Sequence, residues 1–206
     1  MRFFLSALFC FFLNALPAAA HHPFEGAVLT RWYQGLLSGF AHPVIGLDHL
    51  AFLTAVAVLC AARFKSAKAL AAFVPATVAG VFAHLLFSGH AEAFFFETAV
   101  ALSVAVAGFF VLTGAGGSFA ALCFVSVAGL FHGFAYGSGI VGAEASPLVF
   151  YITGLAAVQT AVVLAMSAAF SRACAVFPGG RAGFSRAAGV LLCAVGGALG
   201  LMSVPF

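Results

Sequence analysis

His42-Pro43-Val44-Ile45-Gly46-Leu47-Asp48-His49 interrupts an apolar run that extends from about 34 to 62. That run is the first of six segments long and apolar enough to cross a bilayer; the others lie near 69–88, 97–114, 118–136, 147–170 and 187–205. Proline lacks the N–H needed for one rung of a helix and clashes with the preceding turn, and glycine follows shortly after. The sequence therefore predicts an all-α, polytopic membrane helix bundle of about six transmembrane helices, with its first mature span broken near Pro43 and Gly46.

Composition supports this class. Of the 206 residues, 65% are hydrophobic and only 6% charged, whereas a soluble domain carries about a quarter charged residues. Such a chain cannot cover a water-facing surface. The eight basic residues form no dense cluster with interleaved aromatics, so no nucleic acid is expected as a partner. The five cysteines, at 10, 60, 123, 174 and 193, occur singly and support neither a thiolate zinc site nor a disulfide framework. Each reads as a small buried hydrophobe.

The first residues have the three parts of an export signal. Met1-Arg2 is a basic start, 3–16 an apolar core, and Pro17-Ala18-Ala19-Ala20 a small-residue cleavage site. Residues 1–20 are thus read as a signal peptide and 21–206 as the membrane domain; an uncleaved first helix is the alternative. Arg63, Lys65 and Lys68 lie between spans one and two, and Arg172, Arg181 and Arg186 between spans five and six. The positive-inside rule makes both loops cytoplasmic. The alternate loops hold Glu92, Glu97 and Glu144 without Lys or Arg, and Arg31 is the lone exception. Six crossings put both mature termini outside, in agreement with a cleaved export signal.

On this map the histidines gather on one side. A carboxylate inside a membrane segment is costly and marks a functional site, and imidazole beside carboxylate ligates borderline divalent metals. His42, Asp48, His49 and His132 are the candidate metal ligands, with Glu97 at a similar depth a weaker one. On an unbroken helix His42 and His49 would stand about 10 Å apart along the axis, too far for one ion with bonds of about 2 Å. The expected break removes that objection by folding His42 back toward Asp48 and His49. The plainer alternative is that Asp48 pairs with a histidine or caps a half-helix without metal. His84 reads as an interfacial or hydrogen-bonded histidine, and His90 and Glu92 as solvated loop residues.

The second motif is Phe131-His132-Gly133-Phe134-Ala135-Tyr136-Gly137-Ser138-Gly139. Its glycines permit close helix approach, as do the pairs Gly35/Gly39 and Gly196/Gly200. Tyr136 either donates to a ligand or water, or belongs to the interfacial aromatic belt.

Together the two motifs resemble the HupE/UreJ family of bacterial membrane proteins, associated with nickel uptake for hydrogenase and urease. His42, Asp48 and His49 match its His-x5-Asp-His motif, and 131–137 match the start of its Phe-His-Gly-x-Ala-x-Gly-x-Glu motif. One departure stands out: Gly139 occupies the place of the closing glutamate, and the nearest carboxylate is Glu144. The resemblance implies an inner-membrane permease for a divalent metal ion, Ni2+ or Co2+ as the transported ion, with no other cofactor required. It also implies a functional link to hydrogenase or urease maturation. A homo-oligomer is compatible with the sequence, which does not set the oligomeric state.

No nucleotide-binding motif and no nucleophile–base pair is present, so neither ATP-driven transport within this chain nor an enzyme is expected. Met166 and Met202 alone make no thioether ladder for copper(I), and magnesium prefers oxygen ligands and keeps its waters. The alternative function is a membrane metal- or haem-binding protein acting in redox chemistry or metalloenzyme assembly without transport.

Overall fold

The computed structural model describes residues 28–87, 93–115 and 117–203. The expected signal peptide, Cys10, His21, His22, His90 and Glu92 lie outside them. Within them the chain forms α1 (Trp32–Ile45), α2 (Leu47–Val58) running into a π-helical turn (Leu59–Phe64), α3 (Lys68–Phe87) and α4 (Ala93–Thr113). α5 (Gly117–Gly137), α6 (Ala145–Val176) and α7 (Gly180–Met202) follow. Six of these segments are long and apolar enough to cross a membrane, the first being Leu47–Phe64. The molecule is a polytopic membrane helix bundle.

Local chemistry sets the ends. The Gln34 side chain reaches back to accept the backbone N–H groups of Thr30 and Arg31, satisfying donors that the first turn of α1 leaves over. Pro147 sits in the first turn of α6, where proline is tolerated. Pro178 and Gly179, the latter at φ 91°, turn the chain from α6 into α7.

Three pairs of helices pack with backbones in close approach, and in each pair glycines make the approach possible. A Cβ at Gly35 or Gly39 of α1 would run into backbone atoms of Pro147 or Tyr151 of α6. At Gly133 of α5 it would strike the Thr77 carbonyl of α3, and at Gly196 of α7 the Ala105 amide of α4. Bilayer tails are as apolar as leucine, so this intimate van der Waals packing, not a hydrophobic driving force, holds membrane helices together. The order of contacts makes α1/α6 and α3/α5 parallel pairs and α4/α7 antiparallel, as alternating crossings require. α2 runs through the middle. Of the Leu47–Phe64 window 56% is buried, against at most 33% in any other span, and Phe52, Leu53, Ala55, Val56 and Leu59 are wholly enclosed.

The break falls in the expected stretch, at its glycine end, and differs in effect. Pro43 lies inside α1, and the interruption is Gly46 alone, at φ −69° and ψ 111°. Gly46 N–H still donates to the His42 carbonyl (3.2 Å), and Gly46 O accepts from Leu50 N–H (2.8 Å). The chain does not fold back. Gly39 packs on Tyr151 and Thr54 on Met166, so α1 and α2 advance beside α6 by the same number of residues. Burial of Gly35, Ser38, Gly39, His42 and Pro43 holds the helix on course through the proline, a residue that neighbouring helices make tolerable in membranes.

Two further expectations are corrected. Arg172, Arg181 and Arg186 lie not in a loop but on α6 and α7, whose connection is only 177–179. Long arginine stems let helices run past the apolar slab while the charge stays in the polar zone. Cys123 is exposed, whereas Cys60 and Cys174 are buried; in a bilayer an outward-facing apolar side chain costs nothing. The π-turn was not expected. It ends at Lys65, a non-glycine residue at φ 49°, and its surroundings use arginine as a cap. Arg63 donates to the carbonyls of Phe110, Gly114, Ala115 and Gly117, and Arg181 to that of Ala61.

Candidate functional site

The break, the centre of α5 and the first half of α6 meet in a buried polar cluster. His42 comes from the last turn of α1, Asp48 and His49 from the first turn of α2, and His132 from α5. The ring centroids of His42 and His49 are 5.6 Å apart, and those of His49 and His132 5.1 Å. Gly46 allows this closeness: a Cβ there would fall 2.6 Å from Cδ2 of the His49 ring. Tyr136 packs on both sides of the break, 5.1 Å from His42 and 4.3 Å from His49, ring to ring.

Proton counting fixes which nitrogen does what. Tyr151 donates its one hydroxyl proton to the Tyr136 carbonyl (2.7 Å). At the 3.1 Å contact with His42 Nδ1 the tyrosine oxygen must therefore accept, and His42 Nδ1 carries the hydrogen. Ser103 donates to the Val100 carbonyl (2.6 Å), so its oxygen accepts from His132 Nε2, 3.1 Å away. His132 then presents a lone pair at Nδ1, and His49 Nδ1–H donates to it over 3.0 Å. A ring nitrogen held by a hydrogen bond is the arrangement that orients a histidine for metal ligation.

Asp48 has a local role as well. Its Oδ1 accepts the His49 backbone N–H at 2.8 Å, placing negative charge at the start of α2, where the helix dipole favours it. The capping alternative is thus what the fold shows for one carboxylate oxygen.

The remaining sequence candidates stand apart. Glu97 is exposed on α4 and makes no hydrogen bond to the cluster among the described residues. Glu144 is exposed at the start of α6 and its side chain caps nothing. His84 lies against Phe134 at 4.6 Å and not in the cluster. Tyr136 is fully buried, which removes it from the aromatic belt.

Among the described residues no group of three His, Cys, Asp or Glu side chains converges on one coordination position. The 3.0 Å between His49 and His132 is a hydrogen-bond length. Two nitrogens on one tetrahedral ion at 2.0–2.1 Å need about 3.3 Å, and two on opposite sides of an ion about 4 Å. The histidines are gathered and oriented, and a shared ion requires their mutual bond to open. The same spacing does not fit the axial haem pair of the alternative function.

Four participants were missed in the sequence. Tyr151 and Ser103 fix the histidines. Thr77 and Gln159, both wholly buried, are joined at 3.0 Å between α3 and α6. Nearby, the Tyr136 hydroxyl lies beside the Gln159 side chain, both fully enclosed. Only the polarity of Thr77 and Gln159 within apolar spans marked them. Beyond the cluster, on the side of the basic residues, the core is apolar: Phe52, Leu53, Val56, Phe73, Val104, Val125 and Val163 fill it.

The family model for HupE / UreJ protein matches residues 9–199. The chain belongs to the HupE/UreJ family. This is a family associated with nickel and cobalt transport rather than with catalysis. No curated protein and no solved structure matches the chain. Both HupE/UreJ motifs converge on the cluster, His-x5-Asp-His through His42, Asp48 and His49 and the second through His132 and Tyr136. Gly139, in place of the motif's glutamate, lies in the short 3-10 turn Ser138–Ile140, and Glu144 does not restore a carboxylate to the cluster.

Proposed function

We propose that the protein is a permease of the bacterial inner membrane that admits a divalent transition metal, Ni2+ before Co2+, through the His42–Asp48–His49–His132 cluster from the periplasmic side. The observation that carries this reading is that His42 and His49 are each held at Nδ1 by a buried partner, on either side of a one-residue break at the start of the first span. Broken helices that bring polar groups together at mid-depth recur at transporter binding sites. Imidazoles with few carboxylates suit an ion that must be bound and then released. The polar groups of Tyr136 and Gln159 extend the polar lining beside the histidines, and the apolar core beyond them is the closed gate. Release requires that core to part. Glu97, exposed at the outer part of α4, is a capture group ahead of the cluster, and the basic ends of the helices face the cytoplasm.

Flux of Ni2+, Co2+ and Zn2+ into proteoliposomes, singly and in competition, tests the proposal; ion binding without flux would establish a sensor or assembly factor instead. Imidazole ligates only when unprotonated, and an ordinary histidine titrates near pH 6.5. Protonation adds charge and removes the lone pair, so uptake is expected to fall on acidification, and uptake that stays flat at every external pH at which the protein remains folded counts against a histidine-lined site. Tyr151→Phe removes the oxygen that orients His42 while leaving the ring packed. Loss of such an orienting partner costs about 10–100-fold in metal affinity. That weakening, read by isothermal titration with Ni2+, is expected with little change in thermal stability; unchanged affinity would detach His42 from the site.

A further inference from the structure

At the opposite end from the histidine cluster, a cavity of about 390 Å³ opens between the π-turn that ends α2 and the flank of α6. Cys60, Lys65, Ser66, Ser167, Ser171 and Arg181 give it its polar lining. It contains two cations and no acid; the described acidic residues, Asp48, Glu97 and Glu144, all lie toward the other end of the helices. Arg181 uses one N–H on the Ala61 carbonyl, which leaves four of its five donors. The Ser167 proton goes to the Ala57 carbonyl, so Ser66 and Ser171 are the hydroxyl donors. The π-turn opens the wall here, and such turns inside helices occur frequently at functional sites.

We propose that this cavity binds a phosphate-bearing anion. A guanidinium fork, an ammonium and two hydroxyls match several oxygens around one phosphorus better than the two of a carboxylate. A phospholipid headgroup and free phosphate share that chemistry. The lipid is favoured because Leu164, half exposed, and Ala168 continue the cavity wall onto the outer flank of α6, where an acyl chain lies. Basic pockets between transmembrane helices at this level hold anionic headgroups in general.

The test uses the full-length protein in detergent, with native mass spectrometry of phosphatidylglycerol or phosphatidylcholine titrated in, and a parallel arm with inorganic phosphate as competitor. Retention of phosphatidylglycerol over phosphatidylcholine is expected. Lys65→Gly, which suits the left-handed backbone at φ 49°, is expected to weaken retention about five-fold, the factor of one cation near an anionic surface. Ala168→Trp, which fills the cavity without altering charge, is expected to do the same. Arg172→Ala, at the same end but outside the cavity lining, is expected to leave it unchanged. If phosphate displaces the lipid and alone protects wild type but not Lys65→Gly against heat, free phosphate is the ligand and the anion site stands. Equal retention of both lipids with no effect of phosphate overturns it. So does equal weakening by Arg172→Ala and Lys65→Gly, the mark of a diffuse basic surface.

Discussion

Alanine in place of His49 is expected to reduce metal accumulation to background while the protein still inserts at wild-type levels. The His49 ring contacts both other histidines and Tyr136. It donates to His132 at 3.0 Å, lies tilted on Tyr136 at 4.3 Å and faces His42 at 5.6 Å across the break. Its removal takes away a proposed ligand and leaves His132 Nδ1 without its donor. Losing even an orienting partner costs about 10–100-fold in affinity, so losing the ligand it orients costs more. Insertion is spared because alanine makes α2 more apolar, not less. The measurement is radiolabelled nickel accumulation normalised to protein in the membrane fraction, repeated in proteoliposomes. Asp48→Ala is expected to match it, and Asp48→Asn separates two roles: asparagine keeps an oxygen for the His49 N–H that Asp48 now accepts but removes the charge. If His49→Ala and Asp48→Asn both accumulate nickel as wild type does, the central motif has no part in transport.

Gly133→Val is expected to be the most damaging single change to the fold. The Gly133 position faces the Thr77 carbonyl so closely that even one added carbon has no room, and the obstacle is backbone, which cannot swing aside. α3 and α5 must separate along their length, and His132, next to Gly133, moves with the shift. Overpacking typically costs roughly 1–3 kcal/mol, and two methyls driven against a backbone carbonyl fall at the top of that range or beyond. A thermal shift assay in detergent should show a large fall in midpoint, with nickel uptake lost through the displaced histidine. Gly197→Ala is the matched control. Nothing lies within 4 Å of a Cβ there, so the change is expected to be neutral or to stabilise α7 by about 0.5–1 kcal/mol through reduced chain entropy. Equal damage from both substitutions would mean that helix separation, as opposed to glycine content, does not limit stability.

The small-residue pairs Gly35/Gly39 and Gly196/Gly200 were legible as close contacts because their four-residue spacing puts both members on one helix face. The series Gly129, Gly133 and Gly137 follows the same rule and locks α5 onto α3; Gly133 and Gly137 were legible as sites of close approach, but which helix they approach was not. The role of Gly46 was half legible. Glycine after proline announced a break, but that Pro43 would stay helical, and that α1 and α2 would keep one course, depended on α6 lying alongside. Tyr151 and Ser103 were beyond reach: a tyrosine and a serine in apolar spans look like many others until their protons are traced to particular histidines.

What the sequence alone determined is the membrane class, the number of segments long and apolar enough to cross, the concentration of basic residues toward one end and the two segments whose histidines meet in the cluster. Apolarity and charge act residue by residue against water and lipid, so their pattern along the chain suffices. Only the tertiary structure decided which helices pair, which face of each is turned inward and which histidine nitrogens meet. In a bilayer the tails are as apolar as the core, so spans that are hydrophobic all round carry no periodic record of their buried side. That record exists only in the fit of one helix's backbone against another's glycines.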